Sequence, residues 1–513
     1  MYVRTYSHRR NVVKEDESPH FDALKSAARR GYDAVVTDLD SLDAYAIAEA
    51  VRAGEVSPVA LVDQSLARIE EVNPEVNAFT VTFAERARED ARRIELAVQR
   101  GEDVGPLAGV PISIKDHIWM KGELATNGSR ALESFRPDVD AVPVARIKQS
   151  GAVIVGKTNN PEFCYRGYTD NPLWGTTRNP WNLERTPGGS SGGAGAAVAA
   201  RMTPLSVGTD GGGSVRIPAA FCGVVGLKPT FGVVPKLPGF SGWPTLSVDG
   251  PLTRSVRDAA LLLQVMAGTH SADPLSYPAP RHEYVAAALG HADLSGMRVA
   301  WSVDMGIAPV EPDVRAAFRR AVETFAETGC ELVEAHPQAD HPVSIWNTIA
   351  TVEGYASEGP LLERFESLMA PDTVEIVRAG ADVSGREYMD AQLERLAYTR
   401  VWLEFFDEFD LLLTPMMQMT AFPVGVAAPT QIDGRPVDPF FDDWCHLCYP
   451  ANLTGQPAIS LPNGLGDDGL PVAIQITGRR FEDDTVLAAA AAWERLAPWA
   501  EARPPALTGI GPR

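Results

Sequence analysis

The feature that most constrains this chain is the run 186–216, TPGGSSGGAGAAVAARMTPLSVGTDGGGSVR, which holds nine glycines and four serines. Two polar sites, Ser190-Ser191 and Ser214, stand towards its ends, with an Ala-rich helical pattern between them. Three glycines before Ser214 let the backbone turn sharply and leave successive N–H groups uncovered, as oxyanion stabilisation requires. A flexible linker has similar composition, but the flanks 205–209 and 215–219 read as buried elements, which favours a site over a tether. The serine pair opens a helix of small residues. Taken alone, a serine there is most simply an N-cap.

A serine nucleophile needs a base, and histidine is the usual one. Of nine histidines, only His117 lies in a suggestive place, two residues after Lys115. The G-x-S-x-G elbow is absent, since GFSGW at 239–243 misses the spacing. A lysine base is the better candidate. Lys115 lies in LAGVPISIKDHI, 107–118, which reads as a strand with Ile112 and Ile114 on one face and Ser113 and Lys115 on the other. An apolar setting favours the neutral amine, although a solvated lysine at a strand end is the plainer reading of the residue alone. Asp116 would raise the lysine pKa if the two paired; strand alternation turns it away.

The rest of the chain alternates helix and strand patterns. Residues 1–40 mix both charge signs without a sustained apolar period and read as an arm. Helices are predicted at 45–51, at 58–69 starting from Ser57-Pro58, at 84–99, near 140–150, at 256–267 and at 483–496. Strands are predicted at 107–118, 152–155, 205–209, 224–227, 297–303, 411–414, 458–461 and 472–477, with a proline-rich surface segment up to Pro251. The region 270–405 is richer in helix. This interleaving predicts an α/β fold with helices on both sheet faces. Two motif matches are set aside. GAVIVGKT at 151–158 has the P-loop spacing, but Ala-Val-Ile-Val is itself the strand where a loop is needed. Gly464, Gly466 and Gly469 match a dinucleotide fingerprint, yet Leu470-Pro471 follow, so no helix opens there; Asp468-Gly469 reads as a hairpin turn.

The motifs IKD at 114–116, GGSSGG at 188–193 and GTDGGGSVRIPAAFCGVVGLKPT at 208–230 together resemble the amidase signature family. GKTNNPEF at 156–163, GTTRNPW at 175–181 and YPANLTGQPAISLP at 449–462 extend the likeness over about 41–500. The resemblance implies a single α/β/α layered domain over 41–505, built on a large mixed β-sheet, with a more variable helical region at about 270–405. It also implies a Ser/Ser/Lys triad: Ser214 as nucleophile, Lys115 as base and Ser190, in a cis peptide bond, as the bridge. Gly211, Gly212, Gly213 and the Ser214 amide fall on the oxyanion hole, and Ser191, Thr209, Asp210 and Arg216 on supporting positions. The expected reaction is amide hydrolysis through a serine acyl-enzyme, with esters and carbamates as side substrates. The competing expectations are the glutamine-hydrolysing subunit of a tRNA amidotransferase and a non-catalytic binding protein.

Trp119, Met120, Tyr165, Phe440, Phe441, Trp444 and His446 lie near motifs that should edge the pocket, and favour an apolar or aromatic substrate. Cys445 and Cys448 form a lone CxxC, which reads as two buried thiols rather than a metal site; no metal or cofactor is expected. Lys plus Arg number 46 and Asp plus Glu 67, a net charge of −21. That charge disfavours nucleic acid and anionic membranes as partners. Five cysteines, the absence of an apolar leader and the absence of a long apolar run predict a cytoplasmic enzyme. Its partner is a small-molecule amide, and the resemblance makes a homodimer an expectation.

Overall fold

The computed structural model describes residues 42–278, 283–290, 293–438 and 444–507. The arm expected over 1–40 lies outside them. The strands are β1 (Phe79–Thr82), β2 (Pro111–Lys115), β3 (Val153–Thr158), β4 (Leu205–Asp210), β5 (Val225–Lys228), β6 (Val248–Thr253), β7 (Arg298–Trp301), β8 (Glu331–Glu334), β9 (Leu411–Pro415), β10 (Gln431–Ile432), β11 (Arg435–Pro436), β12 (Ala458–Leu465) and β13 (Pro471–Gly478). All but β10 and β11 join one mixed sheet in the order β1-β3-β2-β4-β6-β5-β12-β13-β9-β7-β8. β2 runs parallel to both β3 and β4, and β7 parallel to β8 and β9.

Because successive strand residues point to opposite faces, the sheet divides the core in two. Leu411 and Leu413 join one apolar cluster and Leu412, between them, the other. The first cluster takes residues of the helices Pro58–Val76, Gly192–Ala199, Val256–Met266 and Asp483–Leu496; the second takes residues of Val343–Phe365 and Gly385–Glu408. This is the layered α/β/α arrangement, a single α/β domain. Among the described residues, no helix is long and apolar enough to cross a membrane.

Local signals set many boundaries. Ser57 accepts from the Ala60 amide and Pro58 opens the helix behind it, while Ala84–Gln99 and Asp483–Leu496 occupy the predicted spans. Gly156-Lys157-Thr158 lie inside β3, which disposes of the P-loop match. The antiparallel pair β12 and β13 flanks Asp468-Gly469, as the hairpin reading required. One expectation is corrected at its end: the segment is partly exposed over 236–245, but Val248 to Pro251 belong to β6, buried throughout and central in the sheet. β5 pairs only with its Leu252 and Thr253, so the residue without an N–H sits beyond that ladder. β1 and β8, both edge strands of four residues, were too short to give a periodic signal.

Candidate active site

β2 and β4 are adjacent and parallel, with Ile114 opposite Val207, so their carboxyl ends deliver Lys115 and Thr209-Asp210 to one place. The polar face of β2 is matched inside the sheet, where Ser113 Oγ donates to Ser206 Oγ at 2.8 Å. Lys115 has no solvent exposure, and its Nζ donates to Ser190 Oγ and to Thr209 Oγ1, each at 2.7 Å. Burial lowers its pKa from the ordinary lysine value, against the pull of Cys164, Asp249 and Asp210. Asp116 does not pair with it; the Asp116 carboxylate accepts from Thr126 Oγ1 instead.

The Gly189-Ser190 peptide is cis. Ser190 and Ser191 then part company. Ser190 meets the lysine, whereas Ser191 caps no helix amide with its side chain and instead bridges the Thr209 amide and carbonyl, both at 3.2 Å. The helix that follows seats against backbone: a Cβ on Gly193 would lie 2.4 Å from the Asn159 nitrogen.

The loop from Gly211 to Val215 is tied down by Asp210. Its carboxylate accepts from the amides of Gly213 at 2.8 Å and Val215 at 3.1 Å, and from Arg216 Nε at 3.0 Å and Nη2 at 2.9 Å. Burial alone would raise the Asp210 pKa, but the Arg216 guanidinium more than offsets this and holds it below the usual carboxylate range. Arg216 is anchored in turn by Gln475 and Asn452, each at 2.7 Å. Of the amides expected to form the oxyanion hole, the Gly213 N–H donates to Asp210, whereas those of Gly211, Gly212 and Ser214 have no intramolecular acceptor among the described residues. Gly213 still needs to be glycine, with φ at 114° and a Cβ position only 2.8 Å from Cys448 Cβ.

Ser214, Ser190, Thr209 and Gly211 line one narrow cavity of about 20 Å³, walled by His117, Phe163, Cys164, Tyr165, Lys236, Trp243, Ser247 and Glu358. The aromatic side is braced by edge contacts of Trp243 with Tyr165 and with Trp346, whose Nε1 donates to the Gly211 carbonyl at 2.9 Å. Burial and then Lys236 push the His117 pKa well below its ordinary value, so this imidazole is neutral and hydrogen-bonded to Asn127.

Among the predicted pocket residues, Tyr165 lines this cavity. Trp119 lines a neighbouring one with His117, Lys236, Phe240 and Asp249. Met120 and Trp444 do not line it: Met120 is core, and Trp444 stacks on Phe221 in the second apolar cluster. Both are apolar side chains whose neighbours in space are other core residues. Phe440 and Phe441 lie outside the described residues. His446 is buried against His341. Cys445 and Cys448 are buried free thiols, and no group of metal-ligating residues occurs among the described residues. Sequence reading missed Lys236, Glu358, Trp243 and Cys164, which come from loops and a helix far apart in the chain and carry no local motif. Asn452 was inside a quoted motif, but its tie to Asp210 needed the fold.

The family model described as Amidase matches residues 60–487. The chain is 40% identical over 473 residues to an acylamidase of Rhodococcus erythropolis, covering 91% of this chain and 98% of that one. It is 36% identical over 493 residues to a glutamyl-tRNA(Gln) amidotransferase subunit from Chloroflexus aggregans, covering 91% and 99%. Among solved structures, it is similar to a bacterial aryl acylamidase of the amidase signature family, with a TM-score of 0.83, 33% identity and 89% and 96% coverage. A 6-aminohexanoate cyclic dimer hydrolase matches with a TM-score of 0.83, 34% identity and 92% and 100% coverage.

Proposed function

The chain belongs to the amidase family and is an amide hydrolase; from this we propose that it is an acylamidase working through an acyl-enzyme on Ser214, with Ser190 and Lys115 as its proton path. The observation that carries the reading is the fully buried Lys115 amine, 2.7 Å from the Oγ of Ser190, which lines one cavity with Ser214.

As Ser214 Oγ attacks the carbonyl carbon, its proton passes to Ser190 Oγ while the Ser190 proton passes to neutral Lys115. A hydroxyl can do this because it donates and accepts at once. The negative oxygen of the tetrahedral intermediate is met by the amides of Gly211, Gly212 and Ser214. Ser190 then gives its proton to the leaving nitrogen and regains one from Lys115, the C–N bond breaks, and water repeats the path to release the acid. Thr209 and the Asp210–Arg216 pair position these groups without touching substrate.

The aromatic walls fit an acyl or aryl group with an apolar body, in keeping with the acylamidase relatives. A second reading, the glutamine-hydrolysing subunit of a tRNA amidotransferase, is favoured by relatives at 36% identity. Both are tested by labelling with a fluorophosphonate and by a hydrolysis panel of aliphatic amides, anilides, carbamates and glutamine. Label on Ser214 with turnover of anilides or aliphatic amides is expected. Turnover of glutamine alone would support the second reading, and wild-type-like activity in Ser214→Ala or Lys115→Ala would falsify the mechanism.

A further inference from the structure

Two ionisable side chains wall the cavity around Ser214 and have no part in the proton path. Glu358, 4% exposed on the helix Val343–Phe365, accepts from Tyr165 Oη and from Ser357 Oγ, each at 2.7 Å. It has no cation within 4 Å among the described residues. Lys236 donates to the Ser241 carbonyl at 3.2 Å, and no carboxylate lies within 4 Å of its ammonium among the described residues. Both face the same space as Ser190, Ser214 and Trp243.

Opposite charges sharing a low-dielectric cavity are stabilised by closing on each other. These two are held apart from behind. Asp273 accepts from the Lys236 main-chain amide at 2.7 Å, fixing its loop, while Tyr165 and Ser357 hold the carboxyl of Glu358. The cavity therefore presents unused N–H donors on one wall and unused acceptor lone pairs on another. A carboxylate would satisfy Lys236 but set a second acidic group against Glu358, and an ammonium would meet the reverse. A carboxamide satisfies both without bringing a charge, because its carbonyl oxygen and N–H lie in one rigid plane. The aromatic faces of Phe163, Tyr165 and Trp243 suit the apolar spacer between that group and the reacting carbonyl.

We propose that the pocket selects substrates carrying a second amide remote from the scissile one, with Lys236 donating to its carbonyl oxygen and Glu358 accepting from its N–H. This deepens the hydrolase reading and rests on Ser214 as the nucleophile. The experiment compares kcat/KM for glutaramide, adipamide and pimelamide with branched-alkyl monoamides of matched length, and with the corresponding ω-carboxylate and ω-amino amides. At least one diamide is expected to be preferred over its alkyl isostere about tenfold or more, mainly through KM. In Lys236→Met and Glu358→Leu that ratio should fall towards one, while Glu358→Gln, which keeps an acceptor, should retain it. A structural role would lower both substrates in parallel and leave the ratio standing. Equal use of diamide and isostere by the wild type, a ratio kept in both variants, or a charged congener outrunning the diamide would each overturn the proposal. Calorimetric titration of diamide and isostere into Ser214→Ala reads the same preference without turnover. If no amide is turned over but the diamide still binds more tightly, the mechanism fails and the slot stands; equal binding overturns the slot.

Discussion

Lys115 gains its role from what surrounds it. In water its amine would be protonated at neutral pH and useless as a base; burial lowers that pKa, and in the proposed mechanism the neutral form accepts the Ser190 proton. Loss of the lysine proton switches the base on, so kcat/KM should rise with pH on an acid limb that lies below the ordinary lysine range. Cys164, Asp249 and Asp210 are the groups that raise the Lys115 pKa. Asp249 is ionised above about pH 7, so Asp249→Asn removes a negative charge there and should move the part of the limb above that pH to lower values, read from a full pH–rate profile; a limb that moves up contradicts this account. Arg216 gives a second test. It is fully buried against Asp210, and Arg216→Met leaves a buried carboxylate unpaired, a loss of about 3–5 kcal/mol in denaturant unfolding together with failed turnover. At this scale the sequence was informative where residues were clustered. Ser190, Ser214, Asp210 and Arg216 sit in glycine-rich motifs with few alternative uses, whereas Lys236 and Glu358 look like any surface lysine and helical glutamate.

Elements place those residues. The parallel neighbours β2 and β4 bring Lys115 beside Thr209, 94 positions later in the chain, and the small-residue helix Gly192–Ala199 packs close enough to hold Ser190 at the lysine. That close approach is testable. Gly193→Ala puts a methyl group 2.4 Å from the Asn159 nitrogen, and backbone cannot yield as a side-chain tip can. The expected cost is about 1–3 kcal/mol, seen as a lower urea midpoint at unchanged m-value. Ser57→Ala, at the N-cap of Pro58–Val76, is the contrasting case, with a loss of about 1 kcal/mol and no change in kinetics. Helices with strong caps and long periods were read well from sequence. The proline in β6 misled, because its acceptability depends on which side of the strand a neighbour uses, and that is a property of the sheet.

The whole molecule buries several ionisable groups, and their sum fixes how stability follows pH. Burial raises Asp249, Asp258, Glu358 and Glu494 from the ordinary carboxylate range to about 7. Each binds its proton more tightly folded than unfolded, so its contribution is fully present below the unfolded value and is lost as pH rises through about 7. The net charge of −21 at pH 7 adds self-repulsion in the same direction. Asp210 has the opposite sign, but its contribution is lost only as pH falls below its unfolded value; His117, lowered by burial, opposes the trend below its ordinary value but is one group against four. Tm should therefore decline between about pH 5 and pH 7.5 in calorimetry; a rising Tm across that window contradicts the assignment. The sequence by itself determined the layered α/β class and the family, and it pointed to the residues proposed for proton transfer, because each rests on short-range order: residue periodicity, glycine turns and compact motifs. Only the tertiary structure decided that the Gly213 amide bonds Asp210, that Met120 and Trp444 are core, and that Lys236 and Glu358 share a cavity with Ser214. Those outcomes depend on which distant segments meet across the sheet, which chain-local patterns do not encode.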